Sequence, residues 1–193
     1  MKVSPDDWVL AGLQTLGRDG VEEVRVERLA RELKVTKGSF YHHFANRRSL
    51  LTAMLQLWRA RGTADIIEDL EGRGIAPGER FRQLVAFILK PHDFDAVESG
   101  LRAWASRDPE AAEVVREVDR RRLRYVTGLL TEAGFGRAQA KTRSLALYRL
   151  IIGDFMWRAH GGPALSGPER ERIVALFLAP ADGAGQPPAR QAI

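Results

Sequence analysis

The sequence contains no cysteine, which excludes a disulfide framework and any thiolate metal site. It has only four histidines. His42 and His43 are adjacent and point to different sides of a helix, while His92 and His160 stand without a second histidine at ligand spacing. No stretch alternates apolar and polar residues as a half-buried strand does, so a glycine-rich phosphate loop following a strand has no place. No run of eighteen apolar residues exists, and the opening MKVSPDDW lacks the apolar core of a signal peptide. These absences predict a soluble cytoplasmic chain with no membrane partner, no metal, no cofactor and no catalytic residues.

What is present is a globular balance of 45% hydrophobic and 28% charged residues in a chain of 193. Net charge is +5, the sign that suits nucleic acid. Between Arg18 and Arg48, eight cations face five acids, so the basic bias is local but mild. Helix signals follow one another along the chain. Ser4-Pro5-Asp6-Asp7 is a strong helix start, with Leu10, Leu13 and Leu16 inward. Asn46 to about Glu71 reads as one long helix, too long to serve a small N-terminal bundle alone. The glycine-rich stretch from Gly72 to Gly78 is the clear internal linker. Further helices are expected over Glu79–Lys90, from Asp93 or Asp95 past Trp104, from Asp108 to about Ala133, from about Arg137 to His160, and from a Ser166/Glu169 capping box to Leu178. The tail from Pro180 to Ile193 has a disordered composition.

The most informative stretch runs from Val26 to Phe44. Val26, Leu29, Ala30 and Leu33 make one apolar helix face, Val35 plugs the turn, and Thr36 is placed to cap a second short helix from about Lys37 to His43. Phe40 and Phe44 face inward. Lys37, Ser39, Tyr41, His42 and His43 are left outside, and cations, hydroxyls and a phenol suit phosphates and base edges. Asn46 can cap the next helix. Arg47 and Arg48 in its first turn oppose the helix dipole, and a phosphate there would explain them.

Val24 to Leu51 resembles the DNA-binding region of the TetR (tetracycline-repressor-like) family of transcriptional regulators. The matching residues are Leu29-Ala30, Val35-Thr36-Lys37-Gly38-Ser39, Tyr41, Phe44, Arg47 and Leu50-Leu51. The resemblance implies that Tyr41 and Arg47 hold DNA phosphates and that Thr36 to His43 dock in the major groove. The DNA-binding set is then Arg25, Thr36, Lys37, Gly38, Ser39, Tyr41, His42, His43 and Arg47. Three positions depart from the family pattern. Lys34 stands where glycine is usual, Arg25 where threonine is usual, and Arg48 where an acid is common. Arg102 to Gly153 looks, more loosely, like a frequent version of the family's C-terminal domain.

The expected fold is all-α: an N-terminal three-helix helix-turn-helix DNA-binding domain (residues 1–48), a larger helical ligand-binding and dimerisation domain (residues 49–179), and a tail (residues 180–193). Leu145–Ile152, Phe155–Trp157 and Ile173–Leu178 are apolar nearly all round, and a second subunit is the readiest cover for such helices. Gly153 either admits a neighbouring helix or is a weak spot in a buried one. Asp154 and Arg158, four apart, read as a local ion pair worth about 0.3–0.5 kcal/mol. The resemblance implies a small-molecule effector site, and Trp104, Tyr125 and Tyr148, apolar bodies with polar tips, are its candidates. The function expected is that of a homodimeric regulator, a repressor that leaves a near-palindromic operator in double-stranded DNA when a small hydrophobic effector binds. A constitutive dimeric DNA-binding protein and a helical carrier or adaptor with no DNA role are the alternatives.

Overall fold

A computed structural model describes residues 3–92 and 94–180. Among these there are helices and no strands. Asp93 and residues 181–193 lie outside the described residues, and with them the expectations for the tail and for Asp93 as a helix opener. No helix among the described residues is long and apolar enough to cross a membrane.

Helix α1 (Pro5–Asp19) starts where its capping chemistry places it. The Asp7 amide donates to Ser4 Oγ at 3.3 Å, and the Ser4 amide donates to the Asp7 carboxylate at 2.7 Å. These reciprocal bonds satisfy two of the donors that a helix start leaves free. After a 3-10 turn at Val21–Glu23, α2 (Val26–Glu32) and α3 (Lys37–Tyr41) form the helix-turn-helix. Phe40 is fully buried, with Trp8 edge-on at 5.2 Å and Phe44 stacked at 5.4 Å. This aromatic cluster fixes which side of so short a helix faces outward.

The turn between α2 and α3 passes through Lys34 at φ 56°, the one non-glycine with positive φ among the described residues. A Cβ in the left-handed region costs roughly 1–2 kcal/mol. Glycine removes that strain but adds unfolded-state entropy. Lys34→Gly is therefore expected to stabilise by up to about 1 kcal/mol, a rise of roughly 2–4 °C in Tm by differential scanning calorimetry. A fall in Tm would show that the lysine side chain compensates for its backbone.

The long helix predicted from Asn46 runs unbroken to Gly72, but not in one register. It comprises α4 (Arg47–Arg59), one turn of π-helix (Ala60–Ala64) and α5 (Asp65–Gly72). Then come α6 (Pro77–Ile88), α7 (Asp95–Ala105), α8 (Pro109–Glu132), α9 (Arg137–Ala159) and α10 (Gly167–Leu178).

Two apolar cores form. The first joins α1 to α4 with Val97, Leu101 and Trp104 of α7 and the first half of α8. The second joins α5, α6, the second half of α8, α9 and α10. The helix-turn-helix unit is therefore not tethered loosely. Helix α1 lies directly on α7, where two glycines let the backbones touch. A Cβ on Gly17 would stand 2.9 Å from the Ala96 carbonyl carbon, and one on Gly100 would stand 2.7 Å from the Leu16 oxygen. Polar ties add to this contact. Arg48 pairs with Glu110 at the start of α8, Thr52 Oγ1 donates to Glu110 at 3.3 Å, and Arg59 reaches Glu117 at 3.1 Å. Arg48, unusual at its position, thus has a partner within the chain.

Candidate nucleic-acid interface and enclosed cavity

The outward side of the helix-turn-helix carries Thr36, Lys37, Gly38, Tyr41 and His42, all exposed, with Ser39 half-buried beside them. Tyr41 is 61% exposed, braced edge-on by Phe40 at 5.3 Å. A phenol this open has no packing role to explain it. Lys37 Nζ lies 2.8 Å from Glu27, but both side chains are more than half exposed, so the pair is weak and open to exchange for a phosphate. Arg25 is likewise exposed and held locally, by Glu23 at 2.8 Å and the Glu22 carbonyl at 3.1 Å.

Three details differ from the sequence reading. Thr36 is the N-cap of α3 by backbone, but its hydroxyl makes no capping bond. Helix α3 ends at Tyr41, and His43, expected outside, turns inward, with Nε2 3.0 Å from the Val3 carbonyl oxygen. The Arg47 guanidinium is engaged within the protein: Nε donates to the Val24 carbonyl at 2.6 Å and Nη2 to that of Val21. These carbonyls lie at the 3-10 turn, where that of Val21 also accepts the Val24 amide at 3.2 Å, and the start of α4 brings Arg47 to them. Both Nη1 hydrogens and one on Nη2 remain for a phosphate.

The second site is a cavity of about 240 Å³ lined by α4, the π turn, α5, α6, α7, α8 and α9. Most of its wall is apolar: Ile66, Leu84, Val126, Ile151 and Phe155 among others. One end is a dense polar network centred on Glu98, only 5% exposed. The Glu98 carboxylate accepts from Trp58 Nε1 at 3.0 Å, from both Arg122 terminal nitrogens at 3.0 and 3.2 Å, and from Arg102 at 2.7 Å. Arg102 also grips Asp119 at 2.8 Å, and the Tyr148 hydroxyl donates to the same carboxylate. Arg122 further donates to Thr63 Oγ1 at 2.9 Å and to the Gly62 carbonyl at 3.0 Å, so it pins the π turn. Gly62 leaves room for that guanidinium, since a Cβ there would lie 3.2 Å from it.

Burial alone would push the Glu98 carboxyl up, but the Arg122 and Arg102 guanidiniums outweigh it and hold the carboxyl below its ordinary range. Burial pushes the Tyr125 and Tyr148 phenols up to about 12, so both are neutral hydroxyls at physiological pH.

Tyr125 and Tyr148 line the cavity, and Trp104 does not. Trp104 is 7% exposed in the first core, on the α7 stripe Val97–Leu101–Trp104 that faces α1. The stripe toward the cavity is the polar one, Asp95–Glu98–Arg102, so aromatic character pointed to the wrong side of this helix. Asp154 and Arg158 are also more than a local surface pair. Their side chains are 10% and 9% exposed, and Arg158 reaches across to Asp95 of α7. Sequence reasoning missed Trp58, Glu98, Arg102 and Arg122. Glu98 and Arg102 have the i,i+4 spacing of an ordinary exposed pair, and Arg122 stands in a run of arginines with nothing to single it out.

A helix-turn-helix unit seated on an all-helical body with its own cavity defines the architectural class. Residues 9–54 match the tetR family of bacterial regulatory proteins. The chain is 30% identical over 102 residues to tetracycline repressor protein class G of Vibrio anguillarum, covering 52% of this chain and 49% of that one. It is 26% identical over 156 residues to tetracycline repressor protein class A from transposon 1721 of Escherichia coli, covering 79% of this chain and 65% of that one. It thus spans about half the length of the first relative and 65% of the second. The fold is shared with a transcriptional regulator from Saccharomonospora viridis solved in complex with choline: TM-score 0.74, 17% identity, 90% of this chain and 94% of that one. The resemblance of the N-terminal region to the tetR family of bacterial regulatory proteins is thus supported by the family match and by both relatives.

Proposed function

We propose that the protein is a homodimeric transcriptional repressor of the cytoplasm that leaves a near-palindromic operator when a small, largely apolar effector enters the cavity. Residues 1–48 act as the reading unit, and residues 49–179 hold effector and partner. The observation that carries this reading is the continuous helix from Arg47 to Gly72. Its first turn belongs to the helix-turn-helix unit, while Trp58, Gly62, Thr63 and Ile66 further along it line the cavity. A ligand that prefers a different position of this helix also changes the placement of the reading unit. Linkage then requires effector and operator to weaken each other by the same factor, typically about 5–150-fold. The test is operator affinity by fluorescence anisotropy with and without effector. An unchanged affinity at saturating effector would leave a DNA-binding protein without a switch.

The DNA face makes its own prediction. Lys37→Ala is expected to lower the slope of log affinity against log salt by about 0.9, one phosphate contact's worth. Tyr41→Phe should weaken binding about equally on all sequences, whereas substitutions at Ser39 or His42 should change which bases are preferred. Arg47→Ala is a poorer probe, because it also removes the bonds to Val21 and Val24. An unchanged salt slope for Lys37→Ala would remove Lys37 from the phosphate contacts.

The dimer rests on α9 and α10. Leu147, Ile151 and Phe155 face the core, yet Leu145, Met156 and Trp157 of α9 and Leu176 of α10 remain exposed. Gly153, in the same outward region, has open space around its Cβ position, as a close helix approach needs. A two-fold pairing on this face places the two reading units for half-sites about 34–36 Å apart or a multiple of that. Leu145→Glu with Met156→Glu is expected to convert a dimer to a monomer by light scattering at micromolar concentration and to abolish tight binding to a palindrome. A double variant that stays dimeric would move the interface elsewhere.

A further inference from the structure

We propose that the cavity is built for an uncharged molecule of one substituted ring or two fused rings, and that it rejects both anions and quaternary ammonium ions. The inference rests on the reading of the cavity as the effector site and names the ligand class of that site.

The first support is charge. Among the described residues, the carboxylates of the wall are already paired: Glu98 with Arg122 and Arg102, and Asp95 with Arg158. Arg61, the remaining cation of the wall, is exposed, where an ion pair contributes little. A charged ligand would lose its hydration and meet no free buried counter-charge among the described residues, an unfavourable exchange.

The second support is the aromatic surface. Trp58 and Phe155 both line the cavity, but their rings already carry internal cations. The Arg122 guanidinium lies 5.3 Å from the Trp58 ring centroid, and that of Arg158 lies 5.3 Å from the Phe155 centroid. A quaternary ammonium ion is recognised by such ring faces, and at these two rings, beside the polar end and Asp95, one face is already taken by a guanidinium.

Size and polarity complete the assignment. A cavity of about 150 Å³ takes benzene, so about 240 Å³ suits a somewhat larger ring system. At the loop between α6 and α7, Phe87 and Phe94 line the wall while staying 49% and 38% exposed, which leaves an apolar approach. The Tyr125 hydroxyl is buried without a hydrogen-bond partner. Its charged neighbours Glu71 and Arg80 do not line the cavity, so this hydroxyl brings no charge to the wall.

The experiment keeps the ring constant and varies only the charge. Calorimetry on the full-length protein compares naphthalene-2-methanol, 2-naphthoate, (2-naphthylmethyl)trimethylammonium and choline, and operator affinity is measured with each at saturation. The alcohol is expected to bind about tenfold or more tightly than either ion, since only the ions must be desolvated without a counter-charge. Choline should bind no better than the naphthyl cation. Ile88→Trp, which fills the cavity from a half-buried lining position, should abolish binding of the alcohol; Ile67→Trp serves the same purpose if that variant does not fold. If either ion binds as tightly as the alcohol, the class assignment falls and the effector reading stands. If the alcohol binds but operator affinity does not change, the effector reading falls and the cavity's ligand class stands. If none of the four binds, both fall.

Discussion

Glu98→Gln is expected to cost about 3–5 kcal/mol of folding stability, because it removes one member of a buried ion-pair cluster and keeps the rest. The amide has nearly the same shape, so the loss is electrostatic. Arg102 keeps Asp119 as a counter-charge, while Arg122 loses its ion-pair partner. For a chain of this size the change corresponds to a fall of roughly 6–20 °C in Tm. The same group predicts a pH dependence with a definite sign. The folded-state carboxyl lies below its ordinary value of 4.5. Its contribution is therefore fully present above that value and is lost as pH falls through the folded-state value. Urea denaturation of wild type and variant should show a wide gap at pH 7 that narrows progressively below about pH 4.5. A gap under 1 kcal/mol at neutral pH would show that water reaches the cluster and screens it.

Trp104→Ala is expected to cost a comparable amount, about 3–5 kcal/mol, for a different reason: a large void in a core that does not collapse around it. The void opens where α7 meets α1 and α4, so the junction between reading unit and body should loosen first. In the fraction that remains folded, affinity of the cavity for naphthalene-2-methanol should be close to that of wild type. Chemical denaturation and calorimetry on one preparation separate the two effects. A stable variant with weakened ligand binding would return Trp104 to the effector site.

These two residues mark where the sequence stopped being readable. Helix positions were legible because caps and periodicity are local: Ser4 with Asp7, Asn46 with Ser49 and Ser166 with Glu169 form the reciprocal bonds that place three helix starts. The outward side of α3 was legible because Phe40 and Phe44 can only go inward. The cavity end was not. Trp58, Glu98 and Arg122 come from three helices, separated by 40 residues between the tryptophan and the glutamate and by 24 between the glutamate and the arginine. A buried glutamate and an exposed one look alike until a second helix closes over them. Arg47 and Arg158 teach the same lesson. Each had a local explanation, an empty dipole end or an i,i+4 pair, and each is committed to a group distant in sequence, the Val21 carbonyl and Asp95.

The π turn has a consequence for chain length. One such turn loops a single extra residue out of an otherwise α-helical path. At about 100° per residue, Trp58 and Leu70 would lie roughly 120° apart around an uninterrupted helix. With one residue looped out they fall within about 20°, so one side of the helix serves both cores. Residues 60–64 are therefore a place where this helix tolerates losing one residue: deleting Ala60 would leave a plain α-helix with both buried stripes still aligned. What the deletion would take away is the carbonyl that Arg122 holds at Gly62. The shortened chain would fold, and its cavity would no longer be stitched to the helix that carries the reading unit.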